Sequence, residues 1–155
     1  MDNILTELID FQLKSIPLEY KLSINDIMRI RKKINTSILN NDKCCIWEGY
    51  ITHKNNKKRK PHIKFFFNSK KMLLHRILYM NYVGALEEDE YVKYKCKNVG
   101  KCCNVNHMTK MKHTNFFLMK KYNDIRRKPN KIKKDPFKIN KNIYIEHNVI
   151  LDIDE

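Results

Sequence analysis

Between Cys96 and His107 the chain places three thiols and an imidazole within twelve residues: Cys96-Lys97-Asn98-Val99-Gly100-Lys101-Cys102-Cys103-Asn104-Val105-Asn106-His107. A tetrahedral ion such as zinc takes four soft or borderline ligands, commonly thiolates with one or two imidazoles. Gly100 lies in the short connection between Cys96 and Cys102, where it can take the positive φ that a tight turn around a metal needs. His107 follows Cys102 at a distance that lets the chain curl back onto the same ion. Cys96, Cys102 and His107 leave one coordination position to fill. The remaining cysteines are the upstream pair Cys44-Cys45, and one of them would close the site and tie the front of the domain to its back. Free cysteines often merely fill a core. Such thiols are not usually clustered with histidine around a glycine-containing loop flanked by Lys and Asn, so spacing and ligand identity favour structural Zn2+. Which member of each Cys-Cys pair is the ligand stays open from the residues alone.

The charge balance points to a polyanion. Lys and Arg number 32 against 17 Asp and Glu, a formal charge of +15 over 155 residues. That excess favours nucleic acid first and an anionic membrane surface second. The length suits one domain with a modest core and extended ends. An odd count of 5 cysteines and a polar start, Met1-Asp2-Asn3, argue against a secreted disulfide scaffold. They favour a reducing intracellular compartment, cytoplasm or nucleus, where thiols serve a metal. No apolar run approaches the length of a membrane span. Heavy use of Lys, Asn and Ile suggests an AT-rich genome.

Along the chain, Ile4, Leu5, Leu8, Ile9 and Leu13 have helical spacing over residues 3 to 14, with Asp2 as a cap and Pro17 as a stop. Ser23 and Asp26 form a capping-box pattern that opens a helix over about 24 to 39. Residues 44 to 67 read as a β-hairpin. Its tip, HKNNKKRK, carries Lys54, Lys57, Lys58, Arg59 and Lys60 without an acid and suits phosphate contact or groove probing. Ser69 is expected to cap a helix from Lys70 to about Tyr82. Tyr91 to Cys96 alternates as a short strand into the cysteine loop, and 111 to 125 reads as a helix. The fold class is therefore α+β: hairpin, helix, strand, Cys/His loop and helix form a ββα-metal-like module over 41 to 125. N-terminal helices (1 to 40) precede it, and a basic arm with a terminal strand (126 to 155) follows. That arm opens on Arg126, Arg127 and Lys128 and is expected to follow a phosphate backbone. The terminal strand offers a route to a homodimer.

Four blocks in this order resemble a known family. Cys44-x-x-Trp47-x-Gly49, His75-Arg76, Val92-x-x-x-Cys96 and Cys102-x-Asn104-x-x-His107-Met108 are similar to the zinc-binding loop of HNH/His-Cys-box (His-Me finger) homing endonucleases. That family shows C-x-x-W-x-G, H-R, V-x-H-x-C, C-x-N-P-x-H-L and a later Asn. The resemblance covers about residues 40 to 120. It implies Cys44, Cys96, Cys102 and His107 as the zinc ligands, with Cys45 and Cys103 as neighbours. Large DNA viruses, in which such genes are scattered, are the expected source, with a viral factory or virion as further possible locations.

The catalytic positions depart from that pattern. The family's histidine, which takes a proton from water, corresponds to Tyr94, and a phenol with an ordinary pKa near 10 is a poor general base at pH 7. The asparagine that helps hold a catalytic Mg2+ corresponds to Phe116, with Asn115 one place short. A shift of one residue on a helix turns a side chain by about 100°. His113 is a substitute base in principle, although a surface helical histidine is its simpler explanation. The combined departures imply a zinc-containing DNA-binding protein with lost or weak nuclease activity, its partner double-stranded DNA. An active Mg2+-dependent endonuclease is the alternative. A nucleic-acid-associated structural or interaction protein, self-associating through its C-terminal strand, is a third expectation.

Overall fold

Asp2 opens the first helix, α1 (Asn3–Asp10), its carboxylate accepting the Leu5 amide at 3.3 Å. In a computed structural model, which describes residues 2–127, the chain is α+β with two small antiparallel sheets. It divides into two units, Met1–Thr114 and Asn115–Glu155. The second helix, α2 (Ile24–Arg31), begins with the full capping box: Ser23 Oγ accepts the Asp26 amide and Asp26 returns the bond to Ser23. Both helices are shorter than periodicity predicts. Ile34 and Ile38 still reach the core from the turns that follow α2, so apolar spacing persists where the helix does not.

Leu8, Ile27, Ile30, Ile34 and Ile38 share one core with Trp47, Phe65, Ile77 and Cys103. The N-terminal segment is further stitched to the third helix, α3 (Leu74–Tyr82), by Asn81, which is fully buried. Asn81 Nδ2 donates to Tyr20 O at 2.9 Å and Ile77 O at 2.8 Å. Its Oδ1 accepts from Gln12 Nε2 at 2.9 Å and Leu22 N at 3.0 Å. A buried amide with all its bonding capacity used fixes the packing of the helices at little desolvation cost.

The principal hairpin lies later than the sequence suggests. β1 (Lys64–Phe67) pairs with β2 (Lys70–Leu73), and Phe67 opposite Lys70 closes a two-residue turn. Asn68 and Ser69 take φ of 48° and 59° there, the left-handed backbone that matches the twist of a tight hairpin. Ser69 is therefore a turn residue and not a helix cap, and α3 starts four residues after Lys70. In the expected 44–67 hairpin, the pairing reduces to one bridge between Thr52 and His62. Ile46 bridges instead to Cys102. The basic tip survives as an exposed loop, with Asn56 Oδ1 accepting the Lys58 and Arg59 amides at 2.8 and 3.1 Å.

The chain after His107 is also corrected. β3 (Glu90–Tyr94) pairs with β4 (Met108–Lys112), Tyr94 facing Met108, and Lys95 N extends the ladder to His107 O at 2.8 Å. The expected helix from 111 begins later, as α4 (Phe116–Arg127) in the second unit. Residues 108 to 112 are a strand because β3 lies alongside to accept their backbone bonds, which helical periodicity in one sequence does not register. Arg126 and Arg127 end α4 instead of opening an arm. Lys128, the rest of the arm and the terminal strand lie outside the described residues.

Candidate metal centre and adjoining cleft

The connection between β3 and β4 is the Cys96–His107 stretch, so strand pairing holds both of its ends. Cys96 leaves β3 and His107 enters β4 from a single 3-10 turn, Val105–His107. Gly100 turns the connection with φ +73°, and a Cβ there would lie 1.8 Å from the Pro61 carbonyl oxygen. Positive φ and this close approach both exclude a side chain. Pro61 ends the basic loop, so the knuckle and the loop support each other. Asn98 O accepts the Lys101 and Cys102 amides at 3.1 and 3.0 Å and completes the turn.

Cys44 comes from the other side. Trp47 N donates to Lys101 O at 3.0 Å, and Cys103 N donates to Cys45 O, laying residues 45–47 antiparallel to 101–103. Extended chain alternates its side chains. In each Cys-Cys pair one thiol therefore faces the knuckle and the next faces the core. Cys45 and Cys103 are buried, Cys45 Sγ donating to Thr36 O at 3.2 Å, and burial pushes both thiols up. These two are ordinary core cysteines. Trp47 in turn covers Gly49, where a Cβ would meet the indole Nε1 at 2.5 Å.

Cys44, Cys96, Cys102 and His107 converge, each offering one ligand atom, all within 4.8 Å of one another. Cys44 Sγ lies 3.4 Å and Cys102 Sγ 3.7 Å from His107 Nδ1. Tetrahedral zinc, with bonds of about 2.3 Å to sulfur and 2.0 Å to nitrogen, places such atoms about 3.5 Å apart. This Cys3His group can hold a metal ion. Burial pushes the Cys102 thiol up to about 12 and raises Cys96, whereas a hydrogen bond to the Asn98 side chain holds Cys44 below the ordinary thiol value. Three thiolates held this closely repel one another, and a divalent cation removes both the repulsion and the cost of burying charge.

Asn104 fixes the frame. It is fully buried, and its Nδ2 donates to Asn40 O at 2.6 Å and Lys43 O at 2.7 Å. Its Oδ1 accepts the Asn106 amide at 2.9 Å, and its own amide points at Cys102 Sγ at 3.4 Å. One side chain thus binds the loop delivering Cys44 to the loop delivering Cys102 and His107. Sequence reading includes Asn104 in the motif without giving it this role, because its partners lie some sixty positions away.

Val99 of the knuckle lines a cleft of about 590 Å3 that also exposes Lys60, His62, His75, Tyr91, Lys93 and Tyr94. The His75 and Tyr94 rings are 5.2 Å apart, tilted by 54°. Burial, with Arg76 adding, pushes His75 down to about 4, and burial raises Tyr94. Both are neutral at pH 7. Among the described residues, no carboxylate lines the cleft. His113 is half-buried and stacks on Tyr91 with ring centres 4.4 Å apart, its amide donating to Asp89 O. Asn115 begins the second unit and is exposed. In the sequence His75 is half of a His-Arg pair, and the surrounding Leu73-Leu74 and Ile77-Leu78 are the signal that it is partly buried. Lys54, Lys57, Lys58, Arg59 and Lys60 are all exposed. By contrast, Arg29 and Arg31 of α2 are engaged with Asp26 and Asp2.

The chain is 49% identical over 113 residues, 73% of its length, to an uncharacterized protein of Acanthamoeba polyphaga mimivirus. That relative is viral. The match spans 33% of the relative, about a third of its length. No protein-family model matches the chain, and no solved structure matches it significantly. Among the described residues, no helix is long and apolar enough to cross a membrane.

Proposed function

We propose that this chain is a zinc-stabilised DNA-binding module on an HNH-like ββα scaffold, with its nuclease activity lost or weak, in a viral setting. The observation that carries this reading is the Cys3His cluster, three of whose four residues lie in the β3–β4 connection, the first of them two residues after Tyr94, at the position of the base. The chain order of two paired strands, the Cys/His connection between them and a following helix supports this reading. Zinc would be structural: Cys44, Cys96, Cys102 and His107 would hold it, and its charge would lock the knuckle under the basic loop. Lys54, Lys57, Lys58, Arg59 and Lys60 would contact phosphates, with Arg126, Arg127 and Lys128 as further contacts. A second reading, the Mg2+-dependent endonuclease, is favoured by one feature, the neutral imidazole of His75 beside Tyr94.

Three measurements on the full chain test the proposal. Metal analysis should give one zinc equivalent, lost in Cys44→Ala and kept in Cys103→Ala; a metal-free folded protein refutes the zinc assignment. Duplex affinity should fall steeply with salt, and replacing Lys57, Lys58 and Arg59 by Ala should flatten the log–log slope by about 2 to 3. An unchanged slope removes the loop from the interface. Supercoiled plasmid with Mg2+ should stay intact with the native protein and be nicked, if at all, by Tyr94→His. Nicking by the native protein would establish the endonuclease reading instead.

A further inference from the structure

We propose that the cleft beside the metal knuckle holds a single unpaired nucleotide, its base on the Tyr91 ring and its phosphate at Lys60, His62 and Lys93. This rests on the nucleic-acid reading above and adds which form of nucleic acid the cleft selects. The cavity of about 590 Å3 lies within the usual range of small-ligand sites, about 300 to 1,000 Å3. Its floor is apolar, formed by Pro61, Leu73 and Val92, and its charged lining is cationic throughout. An anionic ligand with a flat apolar body matches both properties.

Tyr91 sets the form of that ligand. Tyr91 is backed by His113, which lies outside the cleft lining, at 4.4 Å, whereas His75, 5.2 Å from Tyr94, is itself part of the cleft wall. A ring held from behind loses little rotamer freedom when a base stacks on it. A base inside a duplex has both faces covered by its neighbours. An extruded, gapped or overhanging base has a free face, and stacking on aromatic side chains is how proteins hold it. The exposed basic loop, ending at the cleft residue Lys60, would carry the adjoining backbone.

The test uses the full metal-loaded chain and fluorescence anisotropy with two labelled probes, a blunt duplex and the same duplex carrying a three-nucleotide overhang. Unlabelled dAMP serves as competitor. Val99, 40% exposed at the cleft, is changed to Trp to fill the opening and to Ala as a control. The native protein should bind the overhang about tenfold more tightly than the blunt duplex, the order expected for stacking one base. Val99→Trp should abolish that preference while blunt-duplex affinity stays within twofold, and Val99→Ala should keep it. Equal affinity of the native protein for both probes overturns this inference and leaves duplex binding standing. A preference that persists in Val99→Trp also overturns it, by placing the overhang elsewhere. Direct calorimetric titration showing dAMP bound by native protein but not by Val99→Trp, with neither duplex bound in the anisotropy assay, supports a free nucleotide as the occupant and refutes the DNA-binding proposal.

Discussion

Replacing Asn104 by Ala removes the buried side chain that joins the two ligand-bearing loops and leaves the exposed Asn106 amide, which donates to Leu39 O at 2.8 Å, as the remaining side-chain tie. Three bonds disappear: those donated to Asn40 O and Lys43 O, and the one accepted from Asn106 N. Each orphaned group costs about 1 to 3 kcal/mol when it stays buried. Asn40 is half-buried, and Lys43 and Asn106 are exposed, so water reaches all three, the burial penalty falls away, and each lost bond counts at its net worth of about 1 kcal/mol. About 3 kcal/mol is the expected total, a large share of the stability of an ordinary domain. The loop carrying Cys44 would also lose its anchor, and losing support behind a ligand typically weakens metal binding about 10- to 100-fold. Urea unfolding of the metal-loaded protein gives the first number, and competition with a chromogenic chelator gives the second. Asn104→Asp is the companion variant, because it keeps the acceptor and loses the donors. It should retain the Asn106 bond and still lose most of the metal affinity. An Asn104→Ala protein with an unchanged urea midpoint and chelator competition within twofold of native would refute the claim that this amide organises the site.

Two further outcomes follow from the geometry. Gly100→Ala should cost at least about 2 kcal/mol in urea unfolding, from positive φ and the Pro61 carbonyl together. Gly84→Ala, where a Cβ meets nothing within 4 Å, should be close to neutral, and equal effects of the two would contradict the packing described. Burial lowers the His75 pKa from 6.5 to about 4, so between these values the unfolded chain binds the extra proton and the fold does not. The associated stability is complete above about pH 6.5 and is lost as pH falls toward 4, by up to about 3 kcal/mol. His75→Gln should remove that portion of the acid sensitivity. Metal release is common to both proteins and cancels in the difference, and identical pH profiles would refute the burial of His75.

Local chemistry is what the chain alone determined. Ser23 with Asp26 specified a helix start because both partners of a capping box lie within one turn. Asp2 as a cap, Gly100 at positive φ, and the cysteine and histidine positions in the β3–β4 connection were readable for the same reason: their constraints act over a few residues. Strand pairing acts over distance, and that is where reading and structure part. Residues 111 and 112 carry helical periodicity yet pair with Glu90 and Tyr91, and Ser69 enters a turn because Phe67 pairs with Lys70. The two Cys-Cys pairs show the division most clearly. Residue identity narrowed the fourth ligand to Cys44 or Cys45, and the resemblance favoured the first. Only the antiparallel seating of 45–47 against 101–103 turns Cys45 and Cys103 into the core and leaves Cys44 and Cys102 facing His107. The cleft has no signature in the sequence at all. Its walls come from the basic loop, the end of β2, the start of α3, β3 and the knuckle, segments that meet only after the hydrophobic core has brought them together.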